Sequence, residues 1–514
     1  MLTPEYLRDL PEEMVALYSE AELKILADMA RRVSSYQLWI PAAEHQRRML
    51  LEAGRTQDEI LSALTSLTHK TRQELTRLMQ GAAKQTLGTD AAAYTAAGIE
   101  VPAFSASEPL KRILNAGYKA TLGEMRNLCR TTARLGARQF TQVLDSAWMQ
   151  VQSGAIDLNS AVRSAVKQLS EAGLRSVRYD SGRTDSLEVA VRRATQTGVN
   201  QTCCQLQEEL ADEVGCDLVE VSAHAGARPS HALWQGKIYS RSGKSDKYPD
   251  FRAATGYGTG AGLGGWNCAH SFGAYVEGAP RVYTKEQLAE MDAPKYEYGG
   301  KKLTEYEAQQ EQRKNEREIR RWKREYAAMD AAGQDTTEAA VKLKAARERQ
   351  TDFLNKTGLK RQSDREQMTS FGRSQAARAG SEARAYEKAL AEKKKYDTIA
   401  AELKATGAIQ KTAIVHFTPQ PIDVDGLGFD DNHINRERRH QVTEAQAKDY
   451  IRSAKVSVTV WGGRYERYYS YDGAAYVDKS GQFIRTAYPA ERYDEKTTAF
   501  MEVLKKHGIL PQGR

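Results

Sequence analysis

The stretch "GGWNCAH", Gly264–His270, sets a thiol and an imidazole two residues apart at the end of a glycine-rich run. Upstream, "HAGARPSH" adds His224 and His231. Zinc takes four ligands and accepts thiolate and imidazole together, so His224, His231, Cys268 and His270 form a candidate metal set. Cys-x-His is tight spacing for such a site, and no second cysteine lies nearby in the sequence. The competing reading makes Cys268 a small buried hydrophobe and has the histidines bond to backbone in a loop-rich fold. A cysteine nucleophile needs a base held by a third group, and the spacing singles out none. The preceding "TGYGTGAGL" is no phosphate cradle, because no Gly-Lys-Ser/Thr follows and no helix opens there. Its glycines suit positive-φ turns in a close-fitting loop. The sequence requires no cofactor, and zinc is the one ion these side chains would suit.

A second set lies near the C-terminus. His433, Arg436 and His440 of "HINRERRHQ" are spaced i, i+3, i+7, which on one helix places them on a shared face. Metal-free RNA cleavage needs a base for the 2′-hydroxyl proton, an acid for the leaving 5′-oxygen, and cations around the phosphate. Histidine titrates near neutrality and suits the proton roles. The planar fork of arginine suits the phosphate. Thr486, at the end of the last strand-like segment, could donate its hydroxyl to a phosphate oxygen. These four are the candidate catalytic residues. Arg439, on the same basic stretch, and Tyr468, in a tyrosine-rich segment with Tyr465 and Tyr471, are candidate substrate contacts through charge and base stacking. The plainer reading is a solvated basic helix beside a tyrosine-rich sheet.

Elements must position these residues. From the start to about Val219 the chain reads as successive helices. "TQDEILSALTSLTHKTRQELTRLMQ" keeps Ile60, Leu64, Leu67, Leu75 and Leu78 on three- and four-residue steps, which predicts an amphipathic helix from Thr56. A longer helix ends near Gly154, two more follow, and the last stops at Gly215 before a strand-like "CDLVEVSA". From His224 to Gly278 helical periodicity gives way to glycine, proline and aromatics, a loop-rich, short-strand module. From Thr284 to about Leu403 charged helices return, and Ile319, Trp322, Tyr326 and Met329 make a stripe that predicts a helix–helix seam. There Arg313, Arg317, Arg320, Arg321 and Arg324 are offset by Glu311, Glu316, Glu318 and Glu325, and this near-neutrality argues against a dedicated DNA clamp. In the last stretch "HINRERRHQVTEAQAKDYIRSA" predicts a helix. "KVSVTVWGG", "YERYYSYDG", "AAYVDKSG" and "QFIRTAYP" predict a four-stranded antiparallel meander closed by a short helix. The fold class is therefore mainly α and multidomain. Four regions are expected: helices over 1–219, the glycine-rich module over 220–280, charged helices over 281–410, and an α+β unit over 411–514.

The ordered string "ARPSHALWQGKIYS", "YPDF", "TGYG" and "GWNCAHSFGAYVEG" resembles the minor capsid protein family of tailed phages and, more distantly, the phage head-morphogenesis proteins. Arg228, Pro229, His231, Gly236, Asn267, Cys268 and His270 carry the likeness, and Ala269 stands where the family often has arginine. The resemblance spans the N-terminal helices through about Gly278. It implies a minor head protein associated with the portal vertex during assembly and DNA packaging, with no catalytic activity in this part. The stretch from about Thr412 to Gly508 is similar to the small nuclease-like domains of the barnase–EndoU–colicin–RelE kind that some phage head proteins carry as tails, through "HINRERRHQ" and "IRTAYPAERYD". Together these imply a virion protein made in the host bacterial cytoplasm, with the portal or major capsid protein as partner and phage DNA or RNA within reach. A nucleic-acid-binding scaffold with an inactive tail is the alternative.

Composition bounds these expectations. Charged residues make up 28% and apolar ones 40% of the 514, with a net charge of +8, which is polar, mildly basic and compatible with nucleic acid nearby. Five cysteines at irregular spacing exclude a secreted disulfide framework. The N-terminal "MLTPEYLRDLPEEM" is acidic and broken by proline, which speaks against a signal peptide, and no apolar run reaches membrane-spanning length.

Overall fold

A computed structural model describes residues 1–368 and 371–510. The chain divides into two compact units, Met1–Arg384 and Ala385–Arg514. Among the described residues it holds sixteen α-helices and a six-stranded sheet, which is the mainly α, multidomain class expected. No helix among them is long and apolar enough to cross a membrane.

In the first unit the helices Glu12–Ser35, Glu108–Gln152, Leu158–Ala172 and Leu187–Glu213 share one core, in which Tyr18, Met29, Phe140, Leu144, Leu169 and Val191 are buried. Capping sets their starts. Ser107 accepts from the Leu110 amide with a proline in the first turn, and Asp157 accepts from the Ser160 amide. The helix expected from Thr56 through Gln80 is instead two, Ala42–Thr65 and Thr68–Ala96. The apolar period runs straight through the break. The hydroxyls of Thr65, Ser66 and Thr68, however, bond back to carbonyls of the preceding turn, and the Leu67 amide makes a tighter bond to Leu64.

The glycine-rich module follows the Leu187–Glu213 helix. Three short strands, Leu218–Val221, Ile238–Ser240 and Phe272–Ala274, form an antiparallel sheet with the first in the centre. The loop between the last two closes on itself. A Cβ at Gly262 would lie 2.0 Å from the Gly256 carbonyl oxygen, and one at Gly265 would lie 2.4 Å from that of Gly260, so only glycine fits. Val219, Phe251, Leu263, Cys268 and Phe272 fill the space beneath. The helix Glu305–Ala331, started by a Thr304–Glu307 capping box, buries Ile319, Tyr326 and Met329 with Trp322 packed beside them, the seam its stripe predicts.

In the second unit the strands lie in the order Ile414–His416, Val456–Val460, Tyr465–Tyr469, Gly473–Asp478, Phe483–Pro489, Gly428–Phe429. The expected meander is the centre of this sheet. An antiparallel strand at one edge and a parallel one at the other make it mixed and six-stranded. Both added strands are too short to leave a periodic signal in the sequence. Val456, Val458 and Val460 face one core with Ile399, Leu403, Phe500 and Leu504, while Tyr468, Ala475 and Ile484 face a second with Ile434 and Ile451.

The helix expected over residues 433–454 does not form as one piece. Asn432–Glu437 is a single π-helical turn, Arg439 and Gln441 adopt φ of 55° and 59°, and a new helix, Glu444–Arg452, starts behind a Thr443–Gln446 capping box. The Asn435 side chain holds the break by bonding both the amide and the carbonyl of Val442, at 2.9 and 2.8 Å.

Candidate functional site

The module's motifs meet in space. Arg228 precedes the short helix Pro229–Ala232, and its guanidinium donates to the Trp266 carbonyl at 2.6 Å. His231, on that helix, donates from Nε2 to the Ala261 carbonyl at 3.0 Å. His270 donates from Nε2 to Gln235 Oε1 at 3.1 Å. With Nε2–H committed to oxygen, each neutral ring presents a bare Nδ1. These two nitrogens stand 3.8 and 3.6 Å from Cys268 Sγ. The three atoms lie within 4.8 Å of one another, and all three residues are buried. Burial pushes the Cys268 thiol up and both imidazoles down, so the rings are neutral near pH 7. His224 stands outside this group of three. Its ring stacks on that of His270 at 4.3 Å, and its Nδ1 accepts from the Arg8 guanidinium at 2.5 Å. Burial, then the Arg8 charge, pushes its pKa down to about 3.

A helical face grips the backbone that carries Cys268 and His270. Gln196 and Asn200 donate to the Cys268 carbonyl at 3.2 and 3.3 Å, Asn200 donates also to that of His270 at 3.0 Å, and Gln207 donates to that of Phe272. Steps of four and seven place the three amides on one side of the Leu187–Glu213 helix. Sequence reasoning missed these residues and Gln235. The available signal was a row of amides at helical spacing on a largely buried helix.

The group floors a cleft of about 550 Å³ lined by eight arginines against two glutamates. Arg313, Arg317 and Arg320 reach it from the Glu305–Ala331 helix at steps of four and three, one face of that helix. Glu12 holds Arg192 and Arg365, and Glu188 holds Arg320. The guanidinium groups of Arg313 and Arg317 make no ion pair or hydrogen bond among the described residues. Burial, with Arg365 and Arg8 close by, pushes Arg313 down to about 10, and burial raises Glu316 to about 7. The near-neutral reading of this helix averaged over faces that the fold separates. Glu311 and Glu318 pair with Lys314 and Arg349, neither of which lines the cleft.

The tail's candidates do not share a helical face, because the π-turn ends before His440. His433 Nδ1 lies 2.8 Å from Glu437 Oε2, and Arg436 is exposed with Asp431 4.0 Å away. His440 sits in the following loop, where its amide bonds the Ile434 carbonyl at 3.0 Å and its ring centroid lies 5.5 Å from that of Tyr488. Its Nδ1 is buried without a hydrogen-bond partner among the described residues. Thr486 pairs with Tyr476 across the sheet and, two residues from Tyr488, shares that tyrosine's face. Arg439 is exposed, and its carbonyl takes a bond from Arg492. Tyr468 offers no stacking face, since it is 1% exposed and its hydroxyl donates to the Gln420 carbonyl at 2.9 Å.

Two groups in the tail went unpredicted. Arg467 lies 4.6 Å over the Tyr476 ring, and the Tyr476 and Tyr488 hydroxyls are 2.6 Å apart. On the other face Glu466, fully buried, accepts from Ser457 at 2.6 Å and Thr459 at 2.5 Å, with Lys479 at 3.4 Å and His416 at 4.0 Å. Ser457 and Thr459 alternating with valines were the visible trace of that polar edge.

Residues 2–355 match the family described as phage minor capsid protein 2. The match takes in the cysteine–histidine group and the Glu305–Ala331 helix, and it runs past the limit expected near Gly278. A structural protein of Lactococcus phage LL-H is 28% identical over 215 residues, 41% of this chain and 54% of that protein. The chain thus spans about half the length of that curated relative. No solved structure matches the chain.

Proposed function

The chain belongs to the phage minor capsid protein 2 family, and on that premise we propose that it is a structural part of the virion head, built in at the portal during assembly and DNA packaging. The observation that carries this reading is where the motif residues are used. Arg228, His231, Asn267 and Cys268 bond within the first unit, to Trp266, Ala261, Thr197 and each other, so they hold a module in shape. Its partners are the portal and major capsid proteins, and its place is the virion after assembly in the host cytoplasm. Cross-linking of purified heads is expected to join this chain to one of those two proteins, and heads made without it are expected to fill poorly. Normal yields of filled, infectious particles without the chain would overturn the reading.

A second reading rests on His440: the tail cleaves RNA without a metal. Burial, then Arg492 and Arg438, hold this imidazole below its ordinary pKa, so it is a free base at neutral pH beside arginines that suit a phosphate. Thr486 lies along the same strand face as its neighbour Tyr488, and His433 supplies a second imidazole from the same segment. The fragment tested begins at Ala385, because a start at Thr412 would strip Ile399 and Leu403 from the core. Its expression in bacteria is expected to degrade RNA and slow growth, and His440→Ala is expected to abolish both effects. Intact RNA and normal growth with the unaltered fragment would leave the tail as a binding scaffold.

A further inference from the structure

We propose that the first unit is a zinc protein: His231 Nδ1, His270 Nδ1 and Cys268 Sγ bind one Zn²⁺, whose fourth position opens into the arginine-lined cleft and takes water or a phosphate oxygen. The claim goes beyond the structural role and is independent of the tail.

Proton counting comes first. Both rings spend their Nε2–H on oxygen acceptors, so two buried nitrogen lone pairs face one sulfur. A thiol has a single proton and satisfies one of them. A buried acceptor left without a donor costs about 1–3 kcal/mol, and a cation satisfies both at once. The distances agree with this. Zinc–sulfur and zinc–nitrogen bonds of about 2.3 and 2.0–2.1 Å at the tetrahedral angle put sulfur about 3.6 Å from nitrogen, against 3.6 and 3.8 Å here. The outer bonds are those of a ligating histidine, whose second N–H goes to an oxygen that fixes the tautomer, here the Ala261 carbonyl and Gln235 Oε1. The His270 amide, 3.4 Å from Sγ, donates toward the sulfur and favours thiolate. One thiolate and two imidazoles are a borderline-soft set that suits zinc above magnesium or calcium.

The fourth position follows from the cleft. All three ligand residues line it, and His224, the remaining imidazole nearby, is held by Arg8. One thiolate leaves the zinc with a positive charge, and the unpaired Arg313 and Arg317 add to the pull on an oxyanion.

The test uses the full chain, purified without a polyhistidine tag. Elemental analysis after dialysis against metal-free buffer is expected to find one zinc per chain. The cobalt-substituted chain is expected to show a thiolate-to-cobalt charge-transfer band with tetrahedral d–d bands, and inorganic phosphate is expected to shift the latter. Cys268→Ser is expected to remove the charge-transfer band and the bound zinc. If that variant does not fold, the cobalt spectrum of the unaltered chain decides alone. Arg313→Ala is expected to keep the zinc and weaken the response to phosphate. A folded chain without zinc, or a cobalt form without the thiolate band, overturns the site. Bands indifferent to phosphate overturn the open position.

Discussion

His231 and His270 in the first unit are buried, and each has one ring nitrogen fixed to an oxygen and the other turned to Cys268. His433 and His440 in the tail sit on a π-turn and a loop, one beside a surface glutamate and the other half-buried with a nitrogen unpartnered by the described residues. The residue types are the same, and what differs is the commitment of the second nitrogen. A ring fixed by a carbonyl has one tautomer and one direction, which suits it to be a strut or a ligand. A ring with an unfixed nitrogen keeps a proton exchangeable, which acid–base work requires. The scaffolds differ as well: Gly262 and Gly265 in the module loop leave no room for a Cβ, while Gly462 and Gly463 in a turn of the tail face open space.

That contrast can be broken most directly at glycine. Gly262→Ala drives a methyl into the Gly256 carbonyl and is expected to destabilise the first unit by more than about 3 kcal/mol. Gly462→Ala, at φ 66° with open space, is expected to lower the tail's stability by about 1 kcal/mol. Hydrogen exchange resolved by unit measures both, and equal losses would remove the distinction. Next in size, Asn200→Leu leaves the Cys268 and His270 carbonyls short of a donor, an expected loss of about 2–3 kcal/mol. Glu466→Gln in the tail weakens the bonds from Ser457 and Thr459 and is expected to lose about 2 kcal/mol. Chemical denaturation followed in each unit reads these losses, and an unchanged midpoint for Asn200→Leu would mean the helix does not grip the module.

Acidity sharpens the comparison, because one carboxyl in each unit responds with opposite sign. Glu316 is raised by burial from 4.5 to about 7, so between those values the unfolded side chain has lost its proton and the native one has not. Its contribution is complete below the unfolded value and is lost as pH rises through about 7, with a slope of at most ~1.4 kcal/mol per pH unit. Glu316→Gln is expected to flatten that slope in a pH series of melting curves. In the tail the Ser480 hydroxyl and the Arg464 guanidinium hold the Asp478 carboxyl below its ordinary 3.8. That contribution is present above 3.8 and is lost as pH falls through the lowered value, so the tail weakens on the acid side. A first unit that grows more stable from pH 5 to pH 7 after correction for other groups would contradict the Glu316 assignment. Smallest of all, Arg436→Ala removes an exposed side chain 4.0 Å from Asp431 and is expected to leave the melting temperature unchanged. If RNA cleavage by the tail also survives it, Arg436 has no part in holding phosphate.

What the sequence determined by itself was local. Capping residues such as Ser107, Asp157 and Thr304 and the apolar stripes gave most helices, because both act within a turn or two of chain. The ordered motif string marked the module, and the glycines announced turns in a close-fitting loop. The breaks at Ser66 and at Arg439 escaped that reading: an apolar period continues across the first, the second falls in the polar run 435–441, and competing side-chain bonds mark both. The tertiary structure alone decided which faces meet. It set His231, thirty-seven residues before Cys268, against the sulfur. It chose three amides from a distant helix to hold that backbone. It also sorted a charge-balanced helix so that three of its arginines line one cleft. Side-chain spacing along a chain fixes which residues share a face, while convergence of faces from separate elements depends on how those elements pack.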